Sequence, residues 1–319
     1  MEYRQLGTTG LTVSALGLGA NPFGLEVSQE TATAIVQRAI DLGVNFFDTA
    51  NIYHHGKSET MLGNALLGYR HNVVLATKAG GKFDPGPNGG GTSRKHLFQS
   101  LDASLDRLKT DYVDLFWIHH IDYNTPMEET MDALNDIVRS GKVRYIGASN
   151  FLAWEVSEHN SYARAAHQAQ FVAVQMHYNL IHREVEHEMV PFCQSRGLGF
   201  IPYFPMAGGF LTDVYKRDVA PPPGTRGAGR PTFSRWTNDR NWALKDKLEA
   251  WANEHGHPIN DLPVAWLLTR PMLSSVIAGP ESATHIEANV KASEWRLTPD
   301  EVAEIDAMSA PVGAVQRGN

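Results

Sequence analysis

Residues 113–139 read VDLFWIHHIDYNTPMEETMDALNDIVR, and this stretch shows the pattern that decides the fold. The apolar run Val113–Ile118 predicts a buried strand, and Met127–Arg139 follows with apolar residues at helical spacing. The same pattern recurs along the chain. The predicted strands are Ala15–Leu18, Val44–Phe47, Val73–Ala76, Val113–Ile118, Val143–Gly147, Phe171–Gln175, Gly199–Pro202 and Ser275–Ala278. The predicted helices between and after them are Ser28–Leu42, Ser58–Leu67, Ser93–Leu108, Met127–Arg139, Phe151–Arg164, Arg183–Arg196, Asn260–Arg270 and Ser282–Ala292.

Eight strand-helix units indicate one closed barrel. Strands that are apolar throughout are expected where other elements cover both faces of a sheet, and repeated units of this kind place the strands parallel. Eight of them in 319 residues predict an α/β fold, the (β/α)8 TIM barrel. An open doubly wound sheet is the alternative, and it usually carries G-x-G-x-x-G after its first strand. Residues 17–22 read GLGANP, without the third glycine, so the barrel is favoured.

Three further segments lie outside the eight units. Tyr3–Leu6 and Leu11–Val13 flank a Gly-Thr-Thr-Gly turn and predict a β-hairpin that caps one end of the barrel. Asn241–His255 and Thr298–Met308 predict two extra helices, the second with a threonine cap and a proline in its first turn. No segment requires a second domain, so residues 1–319 are expected to form a single barrel domain.

Composition and charge limit the possible function classes. Apolar residues make up 42% and charged residues 20% of the chain, as in soluble globular proteins. The formal net charge of −7 disfavours nucleic acid as a partner. No run reaches the roughly 18 apolar residues of a membrane span, and the first residues lack the apolar core of a secretory signal. The single cysteine, Cys193, is expected to be a core thiol, and the sequence predicts a cytoplasmic protein that binds no membrane.

Ionisable side chains follow the predicted strands at the end where barrel enzymes carry their catalytic groups. Asp48 follows the second strand, Lys78 the third, and the pair His119-His120 the fourth. Each has a structural alternative, because Asp48 could cap a helix, Lys78 could be a solvated strand end, and a histidine could be a hydrogen-bonded rim residue. Their joint position at consecutive strand ends indicates a catalytic site. The polar residues at later strand ends are Ser149, Asn150, Gln175 and Tyr203.

Several longer motifs match a known family. Residues 43–53 read GVNFFDTANIY, residues 75–78 LATK, residues 111–115 DYVDL and residues 141–151 GKVRYIGASNF. Shorter matches are Ser58-Glu59, Leu62-Gly63, Ile118-His119, Val174-Gln175 and Tyr178-Asn179-Leu180. With these motifs in this order, the chain resembles the aldo-keto reductases over nearly its whole length. The resemblance implies a (β/α)8 barrel and the reduction of carbonyl groups with a nicotinamide cofactor, usually NADPH.

The resemblance also implies a catalytic tetrad of Asp48, Tyr53, Lys78 and His119. Hydride addition to a carbonyl carbon leaves negative charge on the oxygen, which must be stabilised and protonated. Tyr53 is the implied proton donor, and Lys78 beside it would favour the phenolate and lower the pKa of Tyr53 from about 10. Asp48 would hold Lys78 in place, and a neutral His119 would orient the carbonyl oxygen.

An extended cofactor at the same mouth is implied as well. Ser149, Asn150 and Gln175 would contact the nicotinamide carboxamide, and Tyr203 would stack on the ring. The residues implied on the ribose side are Gly19 and Ala20, with Asp48 also counted among the cofactor contacts. The residues implied near the pyrophosphate are Phe204, Pro205, Met206, Ala207 and Gly208, whose backbone amides (Pro205 excepted) could contact phosphate.

The adenosine end departs from the family pattern. Residues 279–289 read GPESATHIEAN, and the implied contacts are Gly279, Ser282, His285 and Asn289. His285 stands where the family often has Gln or Arg, and Glu281 stands where a basic residue is common. Because a 2′-phosphate favours cationic partners, Arg217, Arg226 or Arg230 could close over it from the long loop. NADPH is the expected cofactor, and NADH or the use of both stays open.

The substrate mouth is the least defined part of the site. His54 and His120 are interpreted as lining it, and Trp236 either faces the substrate or anchors its own loop. The long loops Gly80–Ser93 and Ala207–Thr237 follow strands and are expected to shape the mouth. The expected substrate is a small aldehyde, ketone or keto-sugar, in the reduction or in the reverse oxidation, and the oligomeric state is left open.

Two other functions are weighed. The 14 histidines raise the possibility of a metal-dependent barrel hydrolase. Neither a His-x-His after the first strand nor an H-E-x-x-H motif is present, so no metal is expected. A nucleotide-binding regulatory subunit with the reductase fold and little turnover is the nearer alternative. The complete set of Tyr53, Lys78 and His119 favours an enzyme.

Overall fold

Eight parallel strands form the centre of the molecule in the computed structural model, which describes residues 1–25, 27–229 and 231–310. The strands are β3 (Leu16–Gly19), β4 (Phe46–Asp48), β5 (Val74–Ala79), β6 (Val113–Ile118), β7 (Val143–Ser149), β8 (Phe171–His177), β9 (Gly199–Tyr203) and β10 (Val276–Ala278), preceded by β1 (Tyr3–Gln5) and β2 (Thr12–Ser14). Each central strand pairs with the next along the chain, and β10 pairs with β3. Phe200 N donates to Met272 O at 3.2 Å and Ser274 N donates to Phe200 O at 3.0 Å, which joins β9 to the segment before β10. The predicted (β/α)8 barrel is therefore confirmed.

Helices surround the barrel, and the long ones carry an apolar face that is buried. They are α1 (Gln29–Asp41), α2 (Lys57–Ala65), α3 (Arg94–Leu108), α4 (Met127–Arg139), α5 (Ala153–Ala165), α6 (Met189–Arg196), α7 (Arg226–Gly229), α8 (Asp239–Glu254), α9 (Leu262–Leu268), α10 (Ala283–Ala292) and α11 (Pro299–Met308). In α1, Ala32, Ile35 and Val36 are fully buried, as their helical spacing predicts. The two extra helices are α8 and α11, and Thr298 caps α11 in a capping box with Glu301.

The N-terminal hairpin closes the end of the barrel at which the strands begin. Strand β1 pairs antiparallel with β2, with Tyr3 opposite Ser14. Leu6 and Val13 are completely buried in one apolar cluster with side chains of the barrel interior. Thr8 N donates to the carbonyl oxygen of Gly197, just before β9, at 2.9 Å. The opposite end of the barrel, where the strands finish, is left for the functional site.

Some predicted boundaries differ from the structure. Helix α6 begins at Met189 rather than Arg183, because Pro191 has no backbone N–H and fits an α-helix only in its first turn. The long loop Ala207–Thr237 contains α7 and a short 3-10 helix, Pro231–Arg235, which are too short to show a periodic sequence pattern. Strand β8 continues two residues beyond its predicted end and carries His177 into the mouth.

Candidate active site

The predicted tetrad lies together at the mouth of the barrel. Lys78 Nζ donates to a carboxylate oxygen of Asp48, and also to the carbonyl oxygen of Thr49 at 2.7 Å. The ring centroid of Tyr53 lies 5.1 Å from Lys78 Nζ, and the rings of Tyr53 and His119 meet edge to face at 5.8 Å. Neighbouring parallel strands account for this arrangement, because Asp48 ends β4 and Lys78 lies near the end of β5. Four side chains from separate parts of the sequence thus form one cluster.

Asp48 has two further partners that fix its position. Trp117 Nε1 and Gln175 Nε2 each donate to Asp48 Oδ2 at 3.0 Å. The role of Trp117 was not predicted from the sequence. The signal that could have revealed it is Gly147 on the next strand, where a Cβ would lie 2.4 Å from the indole ring of Trp117. The absence of a side chain at Gly147 leaves room for the indole ring, whose Nε1 reaches the Asp48 carboxylate.

Burial controls the protonation of the tetrad. It raises the pKa of Tyr53, and the Lys78 ammonium acts in the opposite direction without cancelling the effect. Lys78 does act to lower the pKa of Tyr53, as the sequence predicts. Burial has the larger effect, however, so the net pKa of Tyr53 lies above its ordinary value. Although burial disfavours the ammonium, Asp48 and Tyr53 raise the pKa of Lys78. The Tyr53 phenol and the Lys78 ammonium therefore both keep their protons at neutral pH.

His119 is neutral, as expected for a hydrogen-bonding partner of a carbonyl oxygen. Burial, with smaller contributions from Lys78 and His120, holds the pKa of His119 well below its ordinary value. Its ring stacks on that of His120 with centroids 4.8 Å apart. His119 Nδ1 is buried and has no hydrogen-bond partner in the described parts of the chain. A neutral imidazole next to Tyr53 can orient a substrate oxygen without adding charge.

A largely buried ion pair, which the sequence does not predict, lies next to the segment that carries Tyr53. Glu59 Oε2 accepts from Arg107 Nε at 2.7 Å, and Glu59 Oε1 accepts from Thr77 Oγ1 at 2.5 Å. Thr77 precedes Lys78 on β5, and Glu59 lies on α2, which follows Tyr53. We call Glu59, Thr77 and Arg107 the Glu59 clamp. It joins the segment of Tyr53 to the strand of Lys78. Only the match of Glu59 to a family motif pointed to it.

One cavity of about 680 Å³ contains most of the predicted cofactor residues. Those that line it are Gly19, Asp48, Ser149, Asn150, Gln175, Tyr203, Phe204, Pro205, Met206, Gly208, Gly279, His285 and Asn289. Ala20, Ala207 and Ser282 are not among its lining residues. Ala20 and Ala207 are fully buried, and the Ser282 hydroxyl caps α10 by accepting from His285 N at 3.2 Å. Tyr53 and His119 line the same cavity, so the tetrad and the predicted cofactor residues share one space.

Hydrogen bonds fix the residues predicted to meet the nicotinamide. Tyr203 donates its hydroxyl to Asn150 Oδ1 at 2.7 Å, and Asn150 Nδ2 donates to the carbonyl oxygen of His119 at 2.9 Å. The ring of His177 stacks on Tyr203 with centroids 5.5 Å apart. Burial raises the pKa of Tyr203 to about 12 and lowers that of His177 to about 3, so both side chains are neutral.

The three predicted substrate residues lie in different places. His120 lines the cavity. His54 does not, and its Nε2 forms a hydrogen bond with the carbonyl oxygen of Asn21 at 2.8 Å. Trp236 is buried, packs edge-on against His177, and lies outside the cavity lining, so its indole has the anchoring position.

The predicted adenosine end of the cavity contains an ion pair. Arg226 Nε donates to Glu281 Oε1 at 2.8 Å, and both residues line the cavity. Arg226 Nη2 is buried and has no hydrogen-bond partner in the described ranges. Arg217 donates to the carbonyl oxygen of Asp239 at 3.1 Å and does not line the cavity, and Arg230 lies outside the described residues. Of the three arginines suggested by the sequence, Arg226 is the one placed at this end.

No group of three or more His, Cys, Asp or Glu side chains within the described ranges could hold a metal ion. No helix within the same ranges has both the length and the apolar character that crossing a membrane requires.

Comparison with known proteins identifies the family. The model of the aldo/keto reductase family matches residues 15–310. The versiconal hemiacetal acetate reductase of Aspergillus parasiticus is 33% identical, with 98% of each chain covered. The L-glyceraldehyde 3-phosphate reductase of Escherichia coli O157:H7 is 34% identical over 96% of this chain and 92% of its own. A probable voltage-gated potassium channel subunit beta of Oryza sativa subsp. japonica is 37% identical over 97% and 96%. The chain therefore belongs to the aldo/keto reductase family and is an oxidoreductase that acts on carbonyl groups.

Proposed function

We propose that this protein reduces a small aldehyde, ketone or keto-sugar to the alcohol, with a hydride from NADPH and a proton from Tyr53. The observation that carries the proposal is that Tyr53, His119 and Asp48 line one cavity, with Lys78 fully buried beside them. These residues supply what carbonyl reduction needs, namely a proton donor, a cation that stabilises its conjugate base, and a neutral group that orients the oxygen.

The protonation states fit this division of roles. The Tyr53 phenol is held in its protonated form and can donate to the oxygen as negative charge develops there. The phenolate that remains is stabilised by the Lys78 ammonium, whose position is set by Asp48. His119, neutral and next to Tyr53, holds the carbonyl oxygen toward the phenol. In the reverse reaction the same phenolate would accept the proton of an alcohol.

The cavity supports an extended dinucleotide as the hydride donor. The same cavity is lined by Tyr53 and His119 and by Glu281 and Asn289. Arg226 offers a buried nitrogen without a protein partner in the described part of the chain, which suits a phosphate group. When bound, the cofactor would supply the hydride, while Ser149, Asn150 and Gln175 would hold its carboxamide. We propose NADPH as the main cofactor, with NADH also accepted.

A regulatory subunit is the second candidate function. It is favoured by the 37% identity to a probable potassium channel subunit beta over nearly the whole chain. The complete tetrad favours an enzyme over a regulatory subunit. An enzyme would turn over at least one compound in a panel of carbonyl substrates, whereas a regulatory subunit would show little turnover on all of them.

A fluorescence titration with NADPH and NADH in parallel tests the proposal. We expect saturable binding of NADPH, followed by steady turnover with at least one member of a panel of aldehydes, ketones and keto-sugars. Binding without turnover on the whole panel would favour the regulatory subunit. Failure to bind either nucleotide would contradict both functions.

A further inference from the structure

The adenosine end of the cavity carries an unusual pairing of charges. Arg226 is the one Arg or Lys side chain among the described residues that line the cavity. Its Nε is already bound to Glu281 at 2.8 Å, and the two side chains are only 16% and 28% exposed. Because solvent screens a partly buried pair less than an exposed one, Glu281 offsets much of the positive charge that Arg226 brings to this end.

We propose that Glu281 is the residue that sets the nucleotide preference of the site, by holding Arg226 and opposing a 2′-phosphate. This inference rests on the proposed function, in which the cavity holds a nicotinamide dinucleotide. Its consequence is that NADH binds with an affinity closer to that of NADPH than it would at a site without Glu281.

NADPH is not excluded, because only one nitrogen of the Arg226 guanidinium is paired with Glu281. Arg226 Nε is committed to Glu281, whereas Arg226 Nη2 is buried without a partner in the described ranges. A 2′-phosphate can contact the free nitrogen, but it must share the guanidinium with a carboxylate that repels it. An unphosphorylated ribose meets no such repulsion, because a 2′-hydroxyl can donate a hydrogen bond to a carboxylate. Glu281 therefore weakens the binding of NADPH and favours the binding of NADH.

The neighbouring side chains do not compensate for this charge. The Ser282 hydroxyl caps α10 by accepting from His285 N at 3.2 Å. His285 Nδ1 accepts from the backbone N–H of Glu281 at 3.4 Å, so a donor from this ring is its Nε2. The opposed charges that separate the two nucleotides are those of Arg226 and Glu281.

Calorimetric titration of the protein with 2′,5′-ADP and 5′-AMP, which differ by the 2′-phosphate alone, tests the inference without reference to turnover. For Glu281→Gln we expect the affinity for 2′,5′-ADP to rise about tenfold relative to 5′-AMP, because an uncharged amide leaves Arg226 free to bind the phosphate. For Arg226→Met we expect the relative affinity for 2′,5′-ADP to fall about tenfold, with little change for 5′-AMP. NADPH and NADH should show the same two shifts in fluorescence titrations.

A matched control comes from α10, the helix that follows Glu281. Glu287 pairs with Arg38 at 2.6 Å and does not line the cavity, so Glu287→Gln should leave the ratio of the two affinities unchanged. An unchanged ratio in Glu281→Gln, with wild type binding both nucleotides, would overturn the inference and leave the proposed function intact. Wild type that binds neither nucleotide would instead contradict the proposed function and the inference with it. Thermal unfolding of each variant shows whether the fold is retained, and the conservative Glu281→Gln keeps the test decisive if Arg226→Met unfolds.

Discussion

Two ion pairs of equal length allow a direct test of how burial sets the value of a charge contact in this molecule. Arg107 Nε lies 2.7 Å from Glu59 Oε2, and Lys142 Nζ lies 2.7 Å from Asp102 Oδ1. The Glu59 side chain is 0% exposed and that of Arg107 22%, whereas Lys142 and Asp102 are 43% and 55% exposed. Because the distances are equal, burial is the main difference between the two pairs, and Arg107 Nη2 also donates to Ser104 Oγ at 3.3 Å.

We expect Arg107→Met to lower the free energy of unfolding by about 3 kcal/mol, at the lower end of the range for breaking a buried pair because Arg107 is partly solvated. The cost arises from the Glu59 carboxylate, which would stay buried with Thr77 as its remaining partner. The control Lys142→Met should cost less than about 1 kcal/mol, as exposed pairs do. The double variant Glu59→Gln with Arg107→Met should recover part of the loss, because it leaves no unpaired buried charge.

Urea unfolding, followed by circular dichroism and by tryptophan fluorescence, gives these differences if the two probes coincide. Equal losses in Arg107→Met and Lys142→Met would refute the reasoning, because burial would then have no effect. Full stability of Arg107→Met would refute it as well, since the Glu59 carboxylate could not be unpaired and buried at no cost.

Three further predictions concern the tetrad. Tyr53→Phe should remove most carbonyl reduction while NADPH still binds in a fluorescence titration, and a loss of binding would point to a structural role for Tyr53 instead. Gly147→Ala should slow turnover and lower the free energy of unfolding in urea by about 1–3 kcal/mol. The reason is that its Cβ would lie 2.4 Å from the ring of Trp117 and push the indole away from Asp48. Turnover and stability equal to wild type would contradict this prediction. The turnover number for reduction should stay level through neutral pH and fall only above about pH 10, because burial raises the pKa of Tyr53 above its ordinary value and the acid form persists up to that higher pKa. Alcohol oxidation, which needs the phenolate, should rise over the same alkaline range. A reduction rate that begins to fall with rising pH before neutral pH is reached would contradict the role of Tyr53 as the proton donor.

The sequence predicts those features that repeat or that follow a strand directly. Eight apolar runs, each with a helical pattern after or before it, are sufficient for the barrel, and Asp48 and Lys78 fall at strand ends because the strands are parallel and in register. The roles within the tetrad came from the family motifs, and the structure brings Asp48, Tyr53, Lys78 and His119 into one cluster.

Features that depend on two distant side chains were not predictable in the same way. Glu59 and Arg107 are 48 positions apart, and Arg226 and Glu281 are 55 apart, so no local pattern shows that they meet. The sequence could name Arg226 as a possible partner of a phosphate, but it could not show that Glu281 holds it. The direction of the net pKa shift of Tyr53 could not be predicted from the sequence either, because it depends on how completely burial removes water from the phenol.

Transfer of deuterium is the most direct test of the proposed reaction. The protein would be incubated with NADPH that carries deuterium on the transferring face of the nicotinamide and with the best aldehyde of the panel, and the alcohol would be examined by mass spectrometry. We predict one deuterium on the alcohol carbon with wild type and almost none with Tyr53→Phe, although both bind NADPH. Wild type that binds NADPH yet forms no deuterated alcohol from any carbonyl compound of the panel would contradict the account.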